Sequence, residues 1–545
     1  MMSKWLTTIW ISLITQLTLT NQYTIDSLDY NEPDKLDALL NMFGGGNPKE
    51  THEGYQIVDG DVVVPFNKEE ANEILDGRKA IPDPVLYWPS GQIPYTFHYS
   101  VNDNEKRAIL TGMRHWENET CIKFREATSK DYFLIRFRTD QPGCWSLVGR
   151  QFSRYQKGQD VSIGKGCAQW TTVAHEIGHV IGFFHEQSRS DRDNAIHINW
   201  ENVEKGFYLQ FQKEEDENFG VPYDYTSVMQ YPSWAFSKDV LNKNTIVTMD
   251  PKYQRILGIN QGLTFRDKKM VNYLYSCDRN CSNLNELKCL NGGYLKSSGN
   301  DSTDCSCQCP PNTSGSVCQT LLSTDYYESL FPLPCGGNVS LPGYISTPGY
   351  PKRYHPNESC VWDIKAPIGN QIELEIVDFD FAPRSKSPNK HLFGKCLNES
   401  IEIRFTDDFH GEIHCGTDLE SGTKLTSQSN RIIILINADK SMVGRGLKAK
   451  VSFIGNDQES GKNQTDNNLI KSTIKSTPSP VIKQTSTSTT TTTQKPSTIL
   501  TTIRPKIIVS TFKPKDIEEI WERIKSIQQG RIVKTIRPKI KGTIY

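Results

Sequence analysis

The spacing of apolar residues changes several times along the chain, and each change predicts a different element. Ile93 to Ser100 reads as a strand, Asn104 to Asn118 carries Ala108, Ile109, Met113 and Trp116 at helical spacing, and Tyr132 to Arg138 alternates as a strand. Val173, Ala174, Ile177, Val180 and Ile181 then mark the apolar positions of a buried helix, followed by a long loop-rich stretch. From Cys335 onward short strands and turns take over, and beyond about residue 456 globular patterning ends. Residues 472–503 are dominated by Ser, Thr, Pro and Lys, which cannot bury enough apolar area to fold and predict a disordered, O-glycosylated stalk. Residues 502–507 recur as 535–540, and between them Ile517, Ile520, Trp521, Ile524 and Ile527 stripe one face of a short helix stopped by Gly530. Such a helix is marginal alone and needs a partner. For this basic tail a merely solvated role is preferred, with binding to anionic matrix glycans as the second reading.

Composition sets the surroundings. A chain of 545 residues exceeds one core and predicts three or more domains, and a net charge of -1 gives no case for a nucleic-acid partner. Fourteen cysteines at paired spacings imply an oxidising compartment. Lys4 precedes an apolar stretch from Trp5 to Leu19 that is too short and too polar to span a membrane and suits a secretory signal ending near Thr20. No other segment approaches a spanning length, so the product is expected to be secreted and extracellular, consistent with sequons at Asn118, Asn300, Asn312, Asn338, Asn357, Asn398 and Asn463.

The chemistry concentrates in residues 175–185. On a helix His175 and His179 share a face and can aim ring nitrogens at one ion. Glu176, on the neighbouring side of that turn, suits a general base that is not itself a ligand. Gly182 supplies a residue free to take positive φ, which stops the helix and swings His185 to the same ion. Three imidazoles then bind one metal and leave a coordination position open.

This run is the metzincin pattern, and with residues 186–193 after it and the Ser227-to-Tyr231 stretch downstream it resembles the astacin family of zinc peptidases. The resemblance implies an α+β catalytic domain split by an active-site cleft, with one zinc ion on His175, His179 and His185 and Glu176 as base. It also implies Met229 as an apolar cushion beneath the histidines, and Tyr231 as the group that reaches the metal at rest and holds the oxyanion during turnover. Residues 21–78 resemble a propeptide, in which the family's aspartate switch falls on Asp61, with Asp59 as the alternative; Val58 stands where Phe is usual. Arg78 and Lys79 suit a trypsin-like activator, placing the mature N-terminus at Lys79 or Ala80. The new amino group is then implied to pair with Glu186, an otherwise unpaired buried carboxylate. Some relatives prefer acidic residues after the cut through an Arg near the specificity pocket. Gly258 to Gly262 has none, so that preference does not transfer.

Two further resemblances follow. Cys281, Cys289, Cys305, Cys307, Cys309 and Cys318 look like an EGF-like module, whose pattern implies the pairs Cys281–Cys305, Cys289–Cys307 and Cys309–Cys318. Cys335, the Gly349-to-Pro351 turn, Cys360 with Trp362 two residues on, Cys415 and the Gly444-to-Gly446 turn resemble a CUB domain, a β-sandwich used for protein contacts. That resemblance implies the pairs Cys335–Cys360 and Cys396–Cys415. Asn398 and Glu399 stand where calcium-binding CUB domains carry Tyr-Asp, which argues against calcium there, although Asp439 sits at another family carboxylate position. In the catalytic part the family implies Cys121–Cys277 and Cys144–Cys167. The expected order is thus a signal at 1–20, propeptide at 21–78, peptidase domain at 79–278, EGF-like module at 279–320, CUB domain at 335–455 and low-complexity tail at 456–545. Two functions fit: a latent secreted zinc endopeptidase acting on extracellular protein or matrix substrates, or an adhesive matrix protein using a dead peptidase as scaffold. The complete set His175, Glu176, His179, His185 and Tyr231 favours the first. Neither oligomeric state nor physiological substrate follows from the sequence.

Overall fold

A computed structural model describes residues 55–59, 61–65, 86–151, 157–214, 217–282, 287–297, 304–355, 359–388, 392–397, 399–438 and 444–455. The expected signal, most of the propeptide, Arg78, Lys79, Ala80, Asp439 and the tail lie outside these residues. Met1–Gly461 and Lys462–Tyr545 form separate units, and every described residue belongs to the first.

An N-terminal hairpin pairs β1 (Tyr55–Asp59) with β2 (Val62–Pro65). The catalytic part begins with a five-stranded sheet of β3 (Gln92–Phe97), β4 (Lys123–Glu126), β5 (Ile135–Arg138), β6 (Cys144–Trp145) and β7 (Gln159–Ile163), in the order β4-β3-β5-β7-β6. Only β6 runs antiparallel to its neighbour; the other pairings are parallel. The strand expected from Tyr132 starts three residues later, because Asp131 is tied into a turn by Arg125 and by the backbone and hydroxyl of Thr128.

Helix α1 (Asp103–Glu119) starts on a capping box, with Asn102 accepting from the backbone of Asn104 and Glu105 while the Glu105 side chain accepts from the Asn102 N–H. Its buried Ile109, Met113 and Trp116 pack on Val173, Ala174 and Ile177 of helix α2 (Trp170–Ile181). Gly112 permits the approach, since a Cβ there would lie 2.7 Å from Val173 Cγ1. Trp116 Nε1 donates to the Ala174 carbonyl, Trp88 Nε1 to that of Val180 and the Tyr275 hydroxyl to that of Ile181. The last two satisfy carbonyls that a helix C-terminus leaves open.

After α2 the chain is mostly irregular, with short 3₁₀ turns, the paired strands β8 (Ile196–Ile198) and β9 (Ile246–Thr248), and helix α3 (Phe265–Leu274). Disulfides join Cys121 to Cys277 and Cys144 to Cys167. Beyond them lie two small antiparallel pairs, β10 (Tyr294–Ser297) with β11 (Cys305–Gln308) and β12 (Thr313–Ser314) with β13 (Thr320–Leu321). The bridges Cys281–Cys305, Cys289–Cys307 and Cys309–Cys318 crosslink them.

Residues 336–455 form a sandwich. One sheet holds β14 (Gly336–Val339), β16 (Val361–Lys365), β21 (Arg431–Ala438), β18 (Glu399–Arg404) and β19 (Glu412–His414) in that order; the other holds β15 (Gly343–Ser346), β22 (Gly446–Gly455), β17 (Asn370–Asp380) and β20 (Lys424–Thr426). Alternating inward residues such as Ile372, Leu374, Ile376, Ile432, Ile434 and Ile436 fill the space between them. Cys360, fully buried just ahead of β16, bonds to Cys335 just ahead of β14, and its carbonyl accepts from the Ile436 N–H of β21. Cys396 bonds to Cys415, so all seven implied pairings are formed. The sandwich meets the catalytic part where Phe409 stacks on His197, Lys395 pairs with Asp239, and His410 Nε2 lies 2.5 Å from Glu201. No helix among the described residues is long and apolar enough to cross a membrane.

Candidate active site

Helix α2 carries the site on a segment whose side chains from Val173 to Ile181 are almost wholly buried. It ends where Gly182 takes φ 120°. There the Gly182 N–H donates to the His179 carbonyl at 2.8 Å and the Phe183 N–H to that of Gly178 at 3.0 Å, the pair of bonds that closes a helix on a left-handed residue. The chain then reverses and brings His185 beside the two helical histidines, with ring centroids 5.3 Å from His175 and 4.7 Å from His179.

The three Nε2 atoms converge on one carboxylate, that of Asp61, at 3.0 Å from His175, 3.2 Å from His179 and 2.8 Å from His185. Opposite, Nδ1 of His175 lies 2.6 Å from the Val228 carbonyl and Nδ1 of His179 2.7 Å from that of Phe183. Carbonyls only accept, so these two Nδ1 atoms carry the protons and a neutral ring turns a lone pair toward Asp61. Burial pushes His179 down to about 4, which keeps that ring neutral near neutral pH. Neutral rings and an ionised carboxylate around one point repel unless a cation lies between them. Three imidazoles, two of them oriented by backbone carbonyls, with one carboxylate, are therefore a donor set that fits a divalent metal such as zinc.

Glu176 is fully buried and neither carboxylate oxygen has a hydrogen-bond partner among the described residues. Burial first, and Asp61 second, raise its pKa well above the usual value. Tyr231 is also buried, its ring 4.2 Å from that of His185. Met229 underlies the helix at Gly178, where an added Cβ would lie 2.4 Å from the Met229 sulfur. Gly178 was not singled out in the sequence, although it lies inside the histidine run. Its signal is a glycine in a helix interior, a costly placement that a close approach explains.

Contrary to the expectation of an unpaired carboxylate, the fully buried Glu186 already has partners. Its Oε1 accepts from Arg189 Nη1 at 3.1 Å and from the Asp224 N–H at 2.8 Å. Arg189, three residues on and equally buried, reaches back across the same turn and is steadied by Asp191 and the Val221 carbonyl. A cation is thus already present without any new amino terminus.

The hairpin that delivers Asp61 is held along the edge of β6. The Asp61 carbonyl accepts from the Ser146 N–H and the Val63 N–H donates to the Ser146 carbonyl. Val62 is buried against Val148 and Phe184, and Val63 against Trp145 and Leu147. Of Asp59 only the backbone is described, so the two candidate switches are not compared directly.

Comparison with known proteins places this geometry in a lineage. The family model for the astacin peptidases matches residues 80–276, and that for the CUB domain residues 335–451. Protein SpAN of Strongylocentrotus purpuratus is 33% identical over 430 residues, covering 75% of this chain and 64% of that protein, so the chain spans less than two thirds of its length. Zinc metalloproteinase dpy-31 of Caenorhabditis elegans is 34% identical over 445 residues, covering 77% of this chain and 68% of that protein. The solved structure of High choriolytic enzyme 1, a hatching enzyme zinc-protease from Oryzias latipes, aligns at 32% identity over 36% of this chain and 99% of that one, with a TM-score of 0.34. The histidine site therefore sits in a metallopeptidase domain followed by a CUB domain, and the chain belongs to the astacin family.

Proposed function

We propose that this chain is a secreted zinc endopeptidase made as a latent precursor, activated when its N-terminal segment is removed, and acting on extracellular proteins. The observation that carries the reading is Asp61, whose carboxylate lies among three histidines beside a buried glutamate that has no hydrogen-bond partner among the described residues. His175, His179 and His185 would hold the metal. Zinc bound there supplies Lewis acidity and makes water more acidic. The carboxylate of Asp61 occupies the point where a nucleophile would otherwise enter, which accounts for latency. Glu176, two oxygens free and enclosed, takes a proton from the attacking water and returns it to the leaving amine. Tyr231 packs on His185 and donates to the oxyanion as it develops. Residues 279–320 act as an EGF-like spacer, and the CUB domain holds protein substrates near the site.

The test uses chain processed at residues 78–80 with a library of quenched peptides. Cleavage is expected, lost with a zinc chelator and restored by zinc. Glu176→Ala should lower kcat by about 10² to 10⁴-fold with zinc still bound. A variant that cleaved as fast as the parent would rule out the assigned base, and a processed chain that bound zinc but cut nothing would favour the scaffold reading.

A further inference from the structure

Residues 323–331 lie outside both matched ranges and outside the expected peptidase, EGF-like and CUB segments, yet their side chains are built into the catalytic part. Tyr327 is 4% exposed and packs against Tyr225, Tyr253 and Tyr326. Its hydroxyl is fully used. It donates to Asp224 Oδ1 and accepts from the Tyr225 N–H and from Arg266 Nη1, each at 2.9 Å. Around it, Asp325 accepts from the Tyr253 hydroxyl and pairs with Lys252, the Arg266 guanidinium lies 3.8 Å over the Tyr326 ring, and Arg255 donates to the Phe331 carbonyl.

The two partners Asp224 and Tyr225 begin the loop that supplies the floor of the site. Between Val221 and Tyr231 that loop has no regular secondary structure, so side chains and turns fix it. Asp224 also accepts from Thr226 and Thr264, and its own N–H donates to Glu186. Three residues beyond Tyr225, the Val228 N–H donates to Asp267 and the Val228 carbonyl faces His175 Nδ1; the Met229 carbonyl accepts from the Glu186 N–H. The orientation of His175 thus depends on a carbonyl whose loop is pinned at its start by a residue from another part of the chain.

We propose that Tyr327 is a positioning residue of the peptidase site: its hydroxyl sets Asp224 and Tyr225, which hold the Val228 carbonyl that aims His175 at the metal. The idea rests on the zinc-peptidase reading above. Its consequence is that the linker after the EGF-like segment is required for full metal retention and turnover, while substrate binding is left alone. Burial, with Asp224 beside it, holds the Tyr327 hydroxyl well above its usual pKa, so it remains a donor across the working range.

The test is Tyr327→Phe in the processed, full-length, zinc-loaded chain, because this change keeps the ring and removes only the hydroxyl. Zinc release to a chromogenic chelator should accelerate about tenfold, and kcat should fall about tenfold with KM unchanged. A lower melting temperature with parental zinc release and parental kcat would reduce Tyr327 to packing and overturn the proposal, as would a variant indistinguishable from the parent. A rise in KM at constant kcat would also overturn it. If neither chain cut any peptide, the peptidase reading would fail, and the zinc-release comparison alone would then decide the role of Tyr327.

Discussion

Two segments from outside the matched peptidase range grip the same site in different ways. The hairpin Tyr55–Pro65 reaches the Nε2 side of the histidines, and the linker at residues 323–331 supports the Nδ1 side of His175 through the loop below it. The hairpin's hold is concentrated in one carboxylate, a short backbone bridge to Ser146 and two valines in small apolar clusters. The linker's hold is spread over a buried tyrosine cluster with a hydroxyl making three hydrogen bonds. On the proposed reading the hairpin is the part that must leave and the linker the part that stays.

The comparison breaks most visibly at Asp61. In unprocessed chain, Asp61→Ala removes the carboxylate from its place among the three histidines, a contact worth about 3 kcal/mol, and should raise residual peptide cleavage about a hundredfold without any cut in the backbone. Leakage no greater than the parent's would transfer the switch to Asp59 or to simple steric cover. The opposite pattern is expected in stability. Tyr327→Ala should lower the unfolding free energy of the processed chain by about 3 kcal/mol, read by urea titration, because it empties a ring-sized space and strands the Tyr225 N–H. Val62→Ala, in a segment absent from the processed chain, can change only the precursor, by about 1 kcal/mol.

A third contact, away from the site, joins the CUB domain to the catalytic part through His410 and Glu201. Burial lowers the His410 pKa, but bonds and charge from Asp407 and Glu201 raise it overall above the ordinary 6.5. A raised folded value means the protonated ring adds stability fully below about pH 6.5 and loses it as pH rises through the folded value. The melting temperature of the processed chain should therefore fall slightly across that range, and His410→Gln should flatten the slope. The ring is partly exposed, so the change is expected to be the smallest of the set.

What could be read from sequence divides along the same line. The histidine run was legible because helix periodicity and a terminating glycine are local, and the structure places the three rings together. Helix α1 agreed within a residue at either end, since its cap and apolar stripe are both local too. The cysteine pairings, Cys335–Cys360 among them, came from family patterns and not from spacing, since six cysteines in one module leave fifteen connectivities open. Asp61 was likewise reached only through family resemblance; an Asp-Gly-Asp turn carries no chemistry of its own. The pairing of Arg189 with Glu186 went unseen, because which way a buried turn points its guanidinium is not legible without the fold. Tyr327 escaped altogether. Its only signal is a cluster of aromatics, Tyr326, Tyr327 and Phe331, in a stretch too short for periodicity, and the partners Asp224 and Arg266 lie far away in sequence.

The hairpin's small footprint has a kinetic consequence. On the latent-precursor reading, continuity of the chain holds Asp61 before the histidines at a raised effective concentration, on the order of millimolar for short intramolecular links. On the same reading, a cut between the hairpin and the peptidase domain would change no contact at the site. It would turn an intramolecular stopper into a separate peptide that must compete at whatever concentration its surroundings allow, so dilution, rather than the cut itself, would open the site.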